Sequence, residues 1–326
     1  MSEAHTEWDV VVVGGGSAGL SAALMLGRSR RKVLVVDGDR PRNGVAAHMH
    51  GVLGRDHTSP HDLLAAGRAE LVRYDVTVAS GSVASATAVD DRDDPAFALV
   101  LDTGERHSTR RVLVATGLVD ELPDVPGLAE LWGVGVVMCP YCDGWEARDR
   151  RVAVLATSSL DPHQAQLMRQ VAEDVTFYTN GGILPERTRT ELVARGIAIE
   201  EQAVDRLDAD EDGGAVRGIR LADGSVRDAD VVFVAPRPVP NDAVLRDLRA
   251  RAIRSSGADW VLVDEHGRTN VHGLYAAGNV VSARSSVPWA MASGSLAGTA
   301  INADLVDEDI RRAVRSHAEG DEIRPT

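Results

Sequence analysis

Short runs of consecutive apolar residues alternate with a helical pattern in the first part of the chain. The run from Asp9 to Val13 is followed by a glycine-rich stretch, by small and apolar residues at helical spacing from Leu20 to Leu26, and by a second apolar run, Val33 to Val36. Strands that are apolar throughout are buried on both faces, as in a parallel sheet covered by helices. The pattern therefore predicts an α/β fold.

The hydrophobic pattern of the first part repeats later in the chain. The segments 101–115 and 221–235 share a Leu-x-x-Gly pattern followed, at the same spacing, by a buried strand, and the run Val152–Leu155 matches Val10–Val13. Self-similarity of this kind indicates two copies of one structural unit. The small-residue helix predicted from Ala290 to Leu305 has no counterpart, so we expect it to return to the first copy.

We therefore predict two Rossmann-like, dinucleotide-binding-type domains, with the second inserted into the first. Residues 1–118 and 240–326 would form a discontinuous FAD domain, and residues 119–239 a degenerate NAD(P)-type domain that carries the redox centre described below. A chain of 326 residues is long enough for two hydrophobic cores.

Composition and charge narrow the class of protein. The chain is 44% hydrophobic and 26% charged, which is ordinary for a globular protein. Its net charge of −14 would repel nucleic acids and anionic membranes, so we expect neither as a partner. The N-terminus has no basic and apolar regions typical of a signal peptide, and no apolar run is long enough to span a bilayer. We expect a soluble, cytoplasmic protein.

A glycine-rich turn follows the first predicted strand. Gly14, Gly16 and Gly19 form a G-x-G-x-x-G motif. Glycines in this position allow a tight turn and let backbone N–H groups approach a pyrophosphate at a helix N-terminus. Asp37, at the end of the second strand, is placed to bind the diol of an adenosine ribose. The motif predicts a dinucleotide site but does not distinguish FAD from NAD.

The chain has two cysteines, Cys139 and Cys142, separated by two residues. A pair with this spacing can form a readily reduced disulfide, and the spacing lowers the pKa of the first thiol. Asp143 follows directly and can carry the proton of a thiol–disulfide exchange. The alternatives are a zinc site, to which His163 would contribute and which would lack a fourth ligand, and a buried pair without chemistry. We predict redox chemistry and no bound metal.

Together with two downstream motifs, these residues resemble the low-molecular-weight thioredoxin reductase family over the whole chain. The two motifs are Ala115-Thr116-Gly117 and the Gly-Leu-Tyr-Ala-Ala-Gly-Asn stretch at 273–279. The resemblance implies that FAD is bound by the first domain. It further implies that Cys142 is the thiol next to the flavin, that Cys139 exchanges with the external sulfur compound, and that Asp143 is the acid–base.

The same resemblance assigns residues to the FAD site. Asn279 stands where the family usually has an aspartate that binds the ribityl chain, and its amide can accept or donate such a bond. The helix beginning near Val287 would direct its N-terminal dipole towards the flavin. Asn43 is either a flavin ligand or a plain turn residue. The expected FAD-binding residues are Gly14, Gly16, Ser17, Ala18, Gly19, Asp37, Gly38, Arg42, Asn43, Val83, Ala115, Thr116, Gly117, Gly278, Asn279 and Val287.

Histidines and aromatic residues complete the candidate site. The histidines after the second strand are His48, His50, His57 and His61. In the related family this loop runs along the flavin, so His48 or His50 would act as a base near the dithiol, unless both are simply exposed. The aromatic residues that would line an apolar substrate pocket, or serve only in packing, are Tyr141, Trp145 and Trp289.

The second copy lacks the features that bind NADPH. The run Val152–Leu155 is followed by Ala-Thr-Ser-Ser-Leu-Asp-Pro and a helix predicted from Gln164 to Ala172, with no glycine in the turn. Side chains stand where the backbone would approach a pyrophosphate, and Asp161 adds a negative charge there. After the strand Val175–Tyr178 the chain has Thr-Asn-Gly-Gly in place of the family's arginine cluster. We expect no working nicotinamide site.

Without a hydride donor, electrons would have to enter through the dithiol. The chain then resembles the natural-product dithiol oxidases of the holomycin, gliotoxin and romidepsin type, and the holomycin type is the specific expectation. The resemblance implies a homodimer that closes a disulfide in a small, dithiolopyrrolone-like dithiol and reduces O2 to H2O2, in antibiotic biosynthesis and self-resistance. The alternatives are a disulfide reductase that uses ferredoxin or NADPH, and a flavin redox sensor without turnover.

Overall fold

The apolar run at the start of the chain forms a strand, Trp8–Val13, in the interior of a sheet. In the computed structural model its valines are buried on both faces. Val10 and Val12 belong to one hydrophobic core, whereas Val11 and Val13 belong to a second core on the opposite face. A strand that is covered on both faces does not alternate between apolar and polar residues. The uninterrupted valine pattern has this physical origin.

The structure describes residues 8–89, 94, 96–157, 162–210, 213–255 and 257–322. The elements of the first part are β1 (Trp8–Val13), α1 (Ser17–Arg28), β2 (Val33–Asp37), α2 (Pro60–Leu71), β3 (Thr77–Ser80), β4 (Val83–Val89), β5 (Ala96–Leu101), β6 (Arg106–Val114) and β7 (Leu118–Glu121). The middle part contains β8 (Val136–Val137), α3 (Pro140–Asp143), β9 (Val152–Leu155), α4 (His163–Met168), β10 (Val175–Tyr178), α5 (Glu186–Ala194), β11 (Ala198–Glu200), β12 (Val204–Ala209), β13 (Val216–Leu221), β14 (Val226–Asp228), β15 (Val231–Val234) and β16 (Arg237–Pro240). The last part contains α6 (Ala243–Asp247), β17 (Ala252–Ser255), β18 (Ala258–Val261), β19 (Leu274–Ala276) and α7 (Val287–Glu322).

The chain forms two units, and the predicted α/β class with parallel sheets is confirmed. The first unit comprises residues 1–42, 61–119 and 239–326, and the second comprises residues 43–60 and 120–238. The segment 43–60 is the main difference from the expected boundaries, which placed it in the first domain. It belongs to the second unit because Val45 packs directly against Gly133 and His50 lies beside Glu146.

The two units repeat one sheet topology. In the first, parallel strands follow the order β3-β2-β1-β6-β19, and in the second they follow the order β11-β10-β9-β15-β8. Each unit also has an antiparallel hairpin whose turn contains a glycine with φ of +86°, Gly104 in one and Gly224 in the other. The hairpins close with the same bonds, from Leu101 N to Glu105 O and from Leu221 N to Ser225 O, both 2.9 Å. The internal repeat seen in the sequence is therefore a repeat of structure.

Two helices differ in length from the predictions. The helix expected from Gln164 to Ala172 is shorter, with α4 ending at Met168, and turns follow it. The C-terminal helix is much longer than Ala290–Leu305, because α7 continues to Glu322. No helix among the described residues is long and apolar enough to cross a membrane.

A buried ionic network explains the length of α7. Glu308 of α7 has no exposed surface; its carboxylate lies 2.9 Å from Arg110 Nε and 2.7 Å from Arg111 Nη2, both on β6. Arg312, one turn further along α7, lies 2.7 Å from the same carboxylate. A charge buried in this way is stable only while its partners remain, because an unpaired buried charge is costly. The charged second half of α7 is therefore attached to the first sheet.

We expect Glu308→Ala to lower the free energy of unfolding by about 2–3 kcal/mol, since it removes the fully buried carboxylate shared by Arg110 and Arg111, which keep Asp9, Asp309 and Asp304 as partners. Urea unfolding followed by circular dichroism would measure this. The control is Asp307→Ala, which removes an exposed carboxylate from the same helix and should change stability by less than about 0.5 kcal/mol. Equal losses in the two variants would contradict the role assigned to Glu308.

Candidate active site

The glycine-rich turn between β1 and α1 has the shape that a dinucleotide site requires. Gly14 has a φ of +106°, and a Cβ atom there would lie 2.5 Å from the carbonyl oxygen of Ala115. A side chain is therefore excluded on both conformational and steric grounds. At Gly16, the N-cap of α1, a Cβ atom would meet nothing within 4 Å. The N-terminus of α1, which begins with Ser17 and Ala18, thus faces open space that a phosphate group can fill.

Asp37 ends β2 beside this turn. The position of a Cβ on Gly15 would be 2.5 Å from Asp37 Oδ2, so the carboxylate lies directly against the glycine loop. Arg68 Nη2 donates to Oδ2 over 2.7 Å, and the backbone N–H of Asp39 donates to Oδ1 over 3.2 Å. Each carboxylate oxygen accepts more than one bond, so Asp37 can still bind a ribose diol while Arg68 balances its charge.

The Ala115-Thr116-Gly117 segment is held by a residue that the sequence analysis missed. Thr116 Oγ1 donates to the carbonyl oxygen of Asn241 over 2.7 Å, and Asn241 Nδ2 donates back to the carbonyl oxygen of Thr116 over 3.0 Å. The backbone N–H of Asn241 also bonds to Gly117 O at 3.0 Å. The only sequence signal for Asn241 is its place directly after the second repeat, where the chain returns to the first unit.

Asn279 has a structural role that the sequence did not predict. Its Nδ2 donates to the carbonyl oxygens of Ser282 and Ser285, 3.0 Å each, and therefore closes the loop that precedes α7. The donor of the amide is used within the protein, and only its oxygen is left to accept a bond from a ligand. Arg42 donates to Ala283 O of the same loop over 2.9 Å. Both residues thus fix the start of α7, at Val287.

The contacts of three other expected FAD residues are all within the protein and do not bear on ligand binding. Asn43 lies in a turn, where its carbonyl oxygen accepts a bond from the N–H of Ala46, and it belongs to the second unit. Val83 begins β4 and pairs with Leu101, and Gly38 follows β2 near Gly81. Their assignment to FAD stays a prediction.

The two cysteines are joined as a disulfide at the start of α3. Cys139 is the N-cap residue, and its carbonyl oxygen accepts bonds from the N–H groups of Cys142, 2.9 Å, and Asp143, 3.0 Å. These bonds hold the Cα atoms of the pair 5.1 Å apart. Both cysteines are half-buried, so an external thiol can reach them. The arrangement suits thiol–disulfide exchange.

Asp143 has the electrostatics of a proton carrier. Burial raises the pKa of its carboxyl group to about 6, and the negative charge of Glu146 contributes to the same shift, whereas His50 acts in the opposite direction. A pKa near 6 means that the group can both accept and donate a proton close to neutral pH. The sequence predicted Asp143 but not Glu146, whose only signal is its place one helical turn further on.

The histidine loop brings His50, and not His48, to the redox centre. His50 Nε2 lies 3.5 Å from Glu146 Oε1, and its Nδ1 lies 3.7 Å from Asp56 Oδ1. His48 is exposed and stacks on His57, with ring centroids 4.0 Å apart. His61 lies in the first turn of α2. His50 has acidic neighbours that suit proton exchange, and the assignment of His48 or His50 as a base stays a prediction.

The second copy of the nucleotide unit supports the dithiol. Gln164, in the first turn of α4, donates from Nε2 to the carbonyl oxygen of Met138 over 2.6 Å, and Met138 directly precedes Cys139. Met168 at the end of α4 is fully buried and lies against Gly144. The strand–helix pair that would bind a nicotinamide dinucleotide therefore positions the redox-active segment. The turn residues 158–161, including Asp161, lie outside the described residues.

Comparison with known proteins gives the family. A sequence profile described as pyridine nucleotide-disulphide oxidoreductase matches residues 8–295. The chain belongs to this family. It is therefore an oxidoreductase, as predicted.

Individual members of the family are similar over nearly the whole length. "Thioredoxin reductase tcpT" of Claviceps purpurea is 32% identical, with 91% of this chain and 94% of that protein covered. The crystal structure of HlmI is 42% identical with a TM-score of 0.92, and the match covers 98% of this chain and 99% of that one. A putative thioredoxin reductase TrxB from Bacillus anthracis is 28% identical with a TM-score of 0.85, covering 93% and 99%. The predicted resemblance to thioredoxin reductases is confirmed.

FAD is the cofactor of these oxidoreductases, and the first unit fits it. The open space at Gly16 accommodates phosphate, Asp37 can bind the adenosine ribose, and the loop closed by Asn279 fixes the N-terminus of α7. Together these are the contacts that a flavin dinucleotide needs at a helix N-terminus.

We expect loss of the Gln164 tether to make the disulfide easier to reduce, because a looser Cys139 lowers the effective concentration of one thiol near the other. In Gln164→Leu the equilibrium with glutathione should shift about three- to tenfold towards the dithiol, the size of one hydrogen bond. Alkylation of free thiols after equilibration would measure the shift.

Two further variants separate this role from simple packing. Gln164→Glu keeps the size but cannot donate to a carbonyl oxygen at neutral pH, and should behave like the leucine variant. Gln170→Leu, at an exposed position just after α4, should leave the equilibrium unchanged. A shift of the same size in Gln170→Leu, or none in Gln164→Glu, would refute the tether.

Proposed function

We propose that this protein is an FAD-dependent dithiol oxidase that closes an intramolecular disulfide in a small-molecule dithiol and passes the electrons to O2, which leaves as H2O2. The observation that carries the proposal is the use of α4. Its Gln164 holds the segment before the Cys139–Cys142 disulfide, and the family resemblance assigns the nicotinamide site of a reductase to the strand–helix pair that contains this helix. The resemblance to natural-product dithiol oxidases supports a dithiolopyrrolone-like substrate and a role in antibiotic biosynthesis.

Thiol–disulfide exchange at the cysteines accounts for the oxidation of the substrate. A substrate thiolate attacks Cys139, the Cys139–Cys142 bond breaks, and Cys142 leaves as a thiolate. The second substrate thiol then attacks the substrate sulfur of this mixed disulfide, which closes the product disulfide and releases Cys139. The substrate loses two electrons and two protons, and the cysteine pair gains both electrons. A bound FAD would supply the redox chemistry that carries these electrons on to O2.

Proton transfer is assigned to Asp143 and the groups next to it. With a pKa near 6, the Asp143 carboxylate accepts a proton from the attacking substrate thiol. His50, which bridges from Glu146 to Asp56, lies on the path from that cluster to the exposed residues of its loop. We propose Asp143 as the base and His50 as the group that exchanges protons between the cluster and solvent. The predicted cytoplasmic location, homodimer and self-resistance remain expectations from the resemblance.

Dithiol-driven oxygen consumption tests the function. The purified flavoprotein, mixed with dithiothreitol in air and without NADPH, should consume O2 and form an equal amount of H2O2. Bleaching of the flavin by NADPH under anaerobic conditions would instead indicate a reductase, as would bleaching by reduced ferredoxin. A flavin that responds to none of these donors would indicate a redox sensor without turnover. Each of these results would contradict the proposed oxidase.

We expect Cys142→Ser to keep the visible absorbance of bound flavin and to lose dithiol-driven oxygen consumption by at least about 100-fold, because no second thiol remains to pass electrons on. Cys139→Ser should lose activity similarly, since it lacks the attacked sulfur. Substantial turnover in either variant would show that the electrons bypass the disulfide.

The base role of Asp143 predicts a specific pH dependence. The carboxylate form predominates above a pKa of about 6. The wild-type rate of disulfide reduction should therefore rise with pH up to about 6 and then level off, whereas the rate of Asp143→Asn, which depends on preformed substrate thiolate, should keep rising with pH. The ratio of the two rates should be about 100-fold near pH 6 and should fall at higher pH, and anaerobic stopped-flow measurements with dithiothreitol at several pH values give both rates.

Glu146→Gln is the matched variant, because the charge of Glu146 helps to raise the pKa of Asp143. Removing that charge should move the levelling of the rate to lower pH. A wild-type rate that keeps rising like that of Asp143→Asn, or a levelling that stays at the same pH in Glu146→Gln, would refute the assignment.

A further inference from the structure

Two exposed aromatic side chains flank the redox disulfide. Tyr141 is 81% exposed and Trp145 is 66% exposed, and Cys142 lies between them in the sequence. Bonds from Gly144 N to Pro140 O, 3.0 Å, and from Ala147 N to Asp143 O, 3.2 Å, continue the helical geometry of α3. Residues four positions apart on a helix lie on the same side. Tyr141 and Trp145 therefore lie on the same side of this segment, and the two side chains are here called the aromatic platform.

The indole of Trp145 is fixed although it is exposed. The guanidinium carbon of Arg148 lies 4.3 Å from the centre of its ring, and Arg148 Nη1 donates to the carbonyl oxygen of Trp145 over 2.9 Å. A guanidinium on one face leaves the other face for a second planar group. A rigid aromatic surface of this kind loses little conformational freedom when a ligand binds to it.

Charge next to the platform restricts what can bind. Asp143 and Glu146 lie on the same turns as the aromatic residues, and the guanidinium of Arg148 is stacked on Trp145. Carboxylates close to the attacked sulfur would repel an anionic substrate in a protein whose net charge is already −14. The charge pattern favours an uncharged ligand.

We propose that the aromatic platform is the specificity element of the enzyme, and that it selects an uncharged dithiol carried on a planar ring. The ring stacks on Tyr141 and Trp145 while one of its thiolates attacks the neighbouring Cys139. Tyr141 and Trp145 bind the substrate and take no part in proton or electron transfer. This inference rests on the proposed function, because it names the class of dithiol that the oxidase accepts.

The test compares anaerobic reduction of the Cys139–Cys142 disulfide by four dithiols, with alkylation and mass spectrometry as the readout. Ortho-xylylenedithiol has a planar ring and dithiothreitol does not. Dihydrolipoamide and dihydrolipoate differ in charge. In the wild-type protein, second-order rate constants should be about tenfold higher for the planar than for the flexible dithiol, and higher for dihydrolipoamide than for dihydrolipoate.

Substitutions test whether the preference for the planar dithiol arises at Tyr141 and Trp145. Tyr141→Ala and Trp145→Ala should each lower the rate constant for ortho-xylylenedithiol about three- to tenfold and that for dithiothreitol less than twofold. Tyr141→Phe and Trp145→Phe should retain most of the preference, since an aromatic ring remains. Ile183→Ala, which removes an exposed apolar side chain of the same unit (92% exposed), should leave all four rate constants unchanged.

Equal losses for planar and flexible dithiols, or no loss for either, would overturn the platform. A preference for the anionic dithiol would overturn the charge argument. The readout does not require O2, so it separates the two proposals. If the disulfide is reduced with the expected preference but no oxygen is consumed, the platform stands and the oxidase fails. If oxygen is consumed but no preference among the dithiols is found, the oxidase stands and the platform fails.

Discussion

The hydrogen bonds from Cys142 N and Asp143 N to the carbonyl oxygen of Cys139 are the constraint on which the candidate active site depends. They form the first turn of α3 and thereby bring the two sulfur atoms together. Because the same turn carries Asp143, the proton carrier cannot move independently of the sulfur that it serves. The turns that follow add Glu146, which adjusts the pKa of Asp143, and Trp145. One short helical segment thus combines exchange, proton transfer and substrate contact.

The repeat of the strand–helix unit explains how this helical segment is held in place. The second unit repeats the parallel strand order of the first, including the strand–helix pair β9–α4 that corresponds to β1–α1. In the first unit an open glycine turn joins the strand to the helix. In the second unit a glutamine of α4 donates a hydrogen bond to the backbone beside the disulfide. The second strand–helix pair therefore positions the redox-active segment. This use of α4 supports the direction of electron flow that we propose.

Much of this arrangement was predictable from the sequence, because it depends on local pattern. The valines of β1, the glycines of the first turn and the cysteine pair each act through neighbours in the chain. Contacts between distant segments gave no such signal. His50 lies near Glu146 because the segment 43–60 packs with the second unit. No periodicity or motif in the sequence predicts that packing. The role of Gln164 was not predictable either, because in the sequence it is an ordinary helical residue and its hydrogen bond to Met138 joins distant segments.

Asn279 shows how a substitution can be explained only from geometry. By resemblance alone, an asparagine in place of an aspartate is a weaker ligand for the same hydroxyl group. In the structure its Nδ2 faces the carbonyl oxygens of Ser282, Ala283 and Ser285, at 3.0, 3.4 and 3.0 Å. Three acceptors require a donor, and an aspartate would place a negative charge against them. The amide is therefore needed to close the loop that precedes α7, and the position of the helix N-terminus depends on it.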